Sequence, residues 1–92
     1  MKQSHEKELV ELMSKITDPS VMKAFLKAIL TPTEFEDIVM RLQLVKMLED
    51  GVPQREISKK LGVSIAKVTR GSRELQTKGN GFTKVLETFY KK

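Results

Sequence analysis

The stretch QREISKKLGVSIAKVTRGSR, Gln54 to Arg73, decides how the rest of this chain is read. Ile57 and Leu61 stand four apart, on one face of a first helix, and Ser58 beside them is small enough for another helix to cross closely. Gly62 supplies a sharp turn, Val63 can plug the angle behind it, and Ser64 is a good N-cap. A second helix then buries Val68 while Ile65, Ala66, Lys67, Thr69 and Arg73 face outward. Two short helices joined this way form a helix-turn-helix, whose second helix is shaped to enter a major groove.

Amphipathic helical hairpins of other kinds bury a similar apolar set, so the charge pattern carries weight. Between Gln54 and Lys78 lie seven basic residues against two acidic ones, and this local excess equals the +5 of the whole 92-residue chain. Such clustering on one motif favours nucleic acid over a membrane surface. Gly71 is out of place inside the second helix, where glycine costs about 1 kcal/mol relative to alanine. Either a neighbouring helix or a ligand has to approach the backbone there.

Ninety-two residues make one domain with a modest core, expected to span 1–92. There is no cysteine, hence no disulfide or thiolate metal site, and the lone His5 cannot build a metal site. No apolar run approaches the roughly 20 residues needed to span a bilayer, and the opening MKQSHEKELVE is too charged for a signal peptide. A cytoplasmic location is expected. No nucleophile with a paired histidine, phosphate-cradling glycine loop or carboxylate and histidine cluster is present, so the chain is not read as an enzyme.

Helical periodicity covers the remainder. Leu9, Leu12, Met13 and Ile16 mark a helix from about His5 to Ile16, and Asp18 followed by Pro19 caps the next, which runs to about Leu30 with Val21, Met22, Phe25, Leu26 and Ile29 on a broad face. Thr31, Pro32 and Glu34 form a capping box that opens a third helix reaching about Asp50. That helix is apolar on one side through Phe35, Ile38, Val39, Leu42 and Val45, and on much of the other through Met40, Leu44, Met47 and Leu48. Such a helix is expected to be buried all round, which so small a chain achieves best by intertwining with a second copy. Gly79, Asn80 and Gly81 read as a C-cap and loop before a last helix carrying Phe82, Val85, Leu86 and Phe89. The expectation is an all-α, six-helix domain with a central helix-turn-helix, assembled as an intertwined homodimer.

Leu30, Thr31 and Pro32 opening a long helix, Arg41 within it, Gln54 to Glu56, Leu61 with Gly62, Ile65 with Ala66, and Thr69 to Ser72 together resemble the bacterial Trp repressor family. The likeness covers about Phe25 to Leu75, and the segment containing Gly71 is its most specific part. The resemblance implies a homodimeric transcriptional repressor that binds operator DNA when L-tryptophan, the co-repressor, is seated beside each reading head. No further cofactor is implied. Arg41 and Arg70 would sandwich the indole, Arg70 and Thr31 would receive the ligand carboxylate, and the carbonyls of Ala28 and Leu30 would meet its ammonium. Gly71 would leave room for the ligand, and Glu74 would face it.

For DNA, the resemblance assigns phosphate or base contact to Gln54 and Arg55, the groove floor and backbone to Ile65, Ala66, Lys67 and Thr69, and screened phosphate attraction to Lys59, Lys60 and Arg73. Ser58 and Gln76 replace basic residues at DNA-facing positions, while Lys67 adds one. Two departures concern the switch: the turn before Gln54 is one residue short, and Glu74 stands where a small hydroxyl residue is common. They favour a second reading, a related regulator that uses no effector or another one. A helical module for an acidic protein partner is a third, but it explains neither Gly71 nor the turn at Gly62.

Overall fold

The computed structural model describes residues 2–90, and among these every regular element is a helix: α1 (Lys2–Lys15), α2 (Pro19–Ile29), α3 (Pro32–Glu49), α4 (Gln54–Leu61), α5 (Ile65–Gln76) and α6 (Gly81–Phe89). The order is the expected one, with ends moved by a few residues at most. The chain divides into two compact units, Met1–Glu36 and Asp37–Lys92.

The first unit is built by its caps. Asp18 Oδ1 accepts hydrogen bonds from the Ser20 backbone N–H at 2.9 Å and from the Ser20 hydroxyl at 2.8 Å, while Pro19 fills the first helical position of α2. At the start of α3 the Thr31 hydroxyl oxygen accepts from the Glu34 N–H at 3.2 Å, and the Glu34 carboxylate accepts from the Thr31 N–H at 2.8 Å. This is the reciprocal box expected from the sequence. Apolar side chains of the unit are poorly covered: Leu9, Val10, Leu12, Val21 and Ile29 are all exposed, and α2 contains no fully buried residue.

The second unit holds the core. Leu44 and Val45 of α3, Ile57 of α4, Val68 of α5 and Leu86 of α6 are buried together, with Met47, Leu48, Val52, Leu61, Val63, Leu75 and Phe82 packed around them. Each fully covered Val or Ile contributes about 1.5–3 kcal/mol through removal of apolar surface from water. Every helix of the unit contributes a buried side chain, α3 two, so the helix-turn-helix is fixed to its support by a shared core. Within the single chain Leu44 and Val45 are the buried residues of α3, and Val39 and Met40 are exposed.

Asn80 is also corrected. It belongs to no C-cap: α5 ends at Gln76, Gly79 adopts φ +74° in the turn, and Asn80 is the N-cap of α6. Its Oδ1 accepts from the Thr83 N–H at 2.8 Å, and its amide donates to the Thr77 carbonyl at 2.8 Å and the Leu75 carbonyl at 3.2 Å. A buried asparagine therefore fastens the end of α5 to the start of α6. Asn80→Ala is expected to lower stability by about 1–3 kcal/mol in urea unfolding. Asn80→Asp should restore little, because a carboxylate keeps the cap acceptor but cannot donate to the two carbonyls.

Asp18 gives a pH dependence of known sign. The Ser20 hydroxyl first, and the Ser20 N–H next, hold its carboxyl below the ordinary value of 3.8. A lowered folded pKa means that the cap contributes stability above the unfolded pKa and loses it as pH falls through the folded one. The difference in thermal stability between the wild type and Asp18→Ala is therefore expected to be constant near neutrality and to shrink below about pH 4.

Candidate nucleic-acid interface

The reading head is locked at its turn. Gly62 takes φ +66°, a left-handed conformation in which it terminates α4. Ser58 grips Val63 in both directions: its carbonyl accepts from the Val63 N–H at 3.2 Å, and its hydroxyl donates to the Val63 carbonyl. Ser64 then caps α5 by accepting from the Lys67 N–H at 3.3 Å. Ser58 was assigned to the DNA-facing set, but its half-buried hydroxyl is engaged inside the turn.

Of the other residues assigned to DNA, Arg55, Lys59, Ile65, Ala66, Lys67 and Arg73 are exposed. At about 100° per residue, Ala66, Thr69 and Arg73 fall on the side of α5 opposite Val68, Gly71 and Leu75. Gln54 and Thr69 are half-buried and joined, since the Thr69 hydroxyl lies 3.0 Å from Gln54 Oε1 and 3.0 Å from the Ile65 carbonyl. One hydroxyl hydrogen serves these two acceptors, so Thr69 can offer an outside group only its lone pairs, whereas the Gln54 amide nitrogen keeps its donors. The first residue of α4 is thereby tied to the middle of α5.

Lys67 behaves differently from its neighbours. Its ammonium lies 3.5 Å from Asp37 Oδ1 on α3, and its position on α5 shares an edge with Gly71, four residues on. The sequence drew no attention to Asp37. The available signal was its spacing on α3, where Asp37, Arg41, Leu44 and Leu48 form one strip.

That strip also explains Gly71. It is buried, and a Cβ built on it would run into Leu44 Cδ1, with Leu48 at 3.5 Å and Val45 at 3.7 Å. Close helix packing, the first of the two reasons open to the sequence, is thus present. Arg41, Arg70 and Glu74 are exposed, and no ion pair engages them among the described residues. Arg70 and Glu74 are four apart on α5 and share an edge. In the first unit, Ala28 is exposed on α2, Leu30 is its half-buried C-cap, and the Thr31 hydroxyl, while accepting from Glu34, retains its own hydrogen for donation.

Gly71→Ala gains about 1 kcal/mol of helix propensity but overpacks a buried leucine at a typical cost of 1–3 kcal/mol. A net loss of about 1 kcal/mol is expected in equilibrium unfolding, enlarged in Gly71→Val. Combining Gly71→Ala with Leu44→Ala should destabilise by less than the sum of the two, and strict additivity would show that the two residues do not meet.

Comparison with known proteins agrees with this architecture. The family model described as Trp repressor protein matches residues 4–89. A Trp operon repressor homolog of Vibrio campbellii is 36% identical over 92 residues, covering 92% of each chain. One of Chlamydia caviae is 37% identical over 86 residues, covering 92% of this chain and 85% of its own. One of Xylella fastidiosa is 41% identical over 69 residues, covering 74% of this chain and 75% of its own. No solved structure gives a significant match. With its six helices, its helix-turn-helix at α4 and α5 and a family match spanning nearly its whole length, the chain belongs to the Trp repressor family.

Proposed function

We propose that this protein is a cytoplasmic, homodimeric repressor that binds operator DNA through α4 and α5 when L-tryptophan is bound. The observation that carries DNA binding is the outer face of α5, where Ala66, Thr69 and Arg73 project opposite a side buried by Val68, Gly71 and Leu75. Arg55, Lys59 and Arg73 supply phosphate attraction, and the Gln54 amide donates to phosphate or to a purine edge. Exposed Val39 and Met40, together with the uncovered apolar side chains of α1 and α2, favour a second copy as their cover.

Arg41 and Arg70 are the residues proposed to grip the effector. Guanidinium planes stack on an indole ring, and a carboxylate pairs with the fork of Arg70. The effector would then act as a spacer between α3 and α5. That spacing sets the separation of the two heads, which in helix-turn-helix dimers, the Trp repressor among them, matches one turn of DNA at about 34 Å. Since ligand and DNA favour one head position, each tightens the other by the same factor.

Glu74 keeps a second reading open. Its exposed carboxylate on the edge of Arg70 can either receive an ammonium or repel a carboxylate, and in the second case the effector is not tryptophan. Titration with L-tryptophan, followed by the ligand's fluorescence in a chain that has no tryptophan, separates the two. Saturable binding is expected, weakened about 10- to 100-fold in Arg70→Ala through loss of a charge-assisted contact. Selection from a random duplex library should return a common site only with L-tryptophan present. Selection of that site without ligand, or no saturation at all, would transfer the case to the effector-independent regulator. A monomeric mass in sedimentation at micromolar concentration would remove the homodimer.

A further inference from the structure

The ion pair between Lys67 and Asp37 joins the two helices that the proposed effector would separate. On α3, Asp37 lies one turn before Arg41 and two before Leu44, along the strip that meets α5. On α5, Lys67 lies one turn before Gly71, the residue seated on Leu44. The contact at 3.5 Å therefore joins the helices about one turn before Arg41 on α3 and about one turn before Arg70 and Gly71 on α5. Lys67 is turned toward α3, on a different edge of α5 from Ala66, Thr69 and Arg73.

We propose that Asp37 and Lys67 form a strap between α3 and α5 that opposes insertion of the effector and so sets the ligand concentration at which the reading head is engaged. This inference rests on the proposed function, and both residues act by positioning α5. Gly71 against Leu44 is the fixed end, because buried carbon packing leaves no slack there. The strap is the yielding end. It is half-exposed, with side chains retaining 60% and 41% of their accessibility, so water and salt weaken it and an effector of modest affinity can open it. A strap of aliphatic contacts at that level would hold the two helices together, and its absence would leave the head poorly fixed without ligand.

The same pair allows a rival role, in which Lys67 contacts DNA phosphate and Asp37 merely competes for it. The two roles predict opposite signs. If the pair is a strap, removing either charge, in Asp37→Asn or Lys67→Gln, tightens L-tryptophan binding by about 1.5- to 5-fold, the range of an exposed ion pair. The exchanged double variant, Asp37→Lys with Lys67→Asp, returns toward the wild-type affinity. Raising the salt concentration narrows the gap between wild type and Asp37→Asn, because salt screens only the protein that has the pair.

Calorimetry with L-tryptophan on the full chain and these three variants, followed by binding to a duplex selected by the wild type, tests this. Parallel gains in both single variants with recovery in the exchanged one would support the strap. Wild-type affinity in both, weaker L-tryptophan binding in both, or DNA effects of opposite sign in Asp37→Asn and Lys67→Gln would overturn it and leave the proposed function standing. A wild type that binds no L-tryptophan would overturn the proposed function, and the strap with it.

Discussion

The side chain that Gly71 lacks is what lets α5 lie against Leu44 of α3. That contact sets how closely α5 approaches α3 at this point of its length. The shared core of Leu44, Val45, Ile57, Val68 and Leu86 makes α4 follow α5, and the Ser58 to Val63 clasp with the Gln54 to Thr69 bond removes the remaining freedom between the two helices. The two helices of the helix-turn-helix are thereby joined at the core, at the turn and at the start of α4.

Polar side chains in this protein are used chiefly as fasteners. Asp18, Thr31 with Glu34, Ser64 and Asn80 each satisfy backbone groups that helices leave unpaired at their starts, so short helices of 8 to 18 residues hold their ends without a large core. Such helices are marginal in isolation. What they gain from caps is local, whereas apolar burial is concentrated in the second unit.

Residues with opposite duties sit side by side on α5. Val68, Gly71 and Leu75 belong to the core, while Ala66, Thr69 and Arg73 face outward, and Lys67 and Arg70 occupy the edges between.

The amino-acid sequence by itself determined the six helices, the caps at Asp18, Thr31 and Ser64, and the helix-turn-helix. These depend on local spacing, on the special backbone freedom of Gly62 and on short-range hydrogen bonding, all of which a residue carries with it. It also marked Gly71 as a place of close approach, without saying to what. Only the tertiary structure decided that Leu44 is the neighbour, that Asp37 pairs with Lys67 from 30 positions away, and that the Ser58 hydroxyl is engaged at the turn. It likewise turned Asn80 from part of a loop into a buried cap. The physical reason is the same in each case. Which side chains meet across helices is set by how two helices cross, and that crossing depends on the packing of the whole core, not on the periodicity of either helix alone.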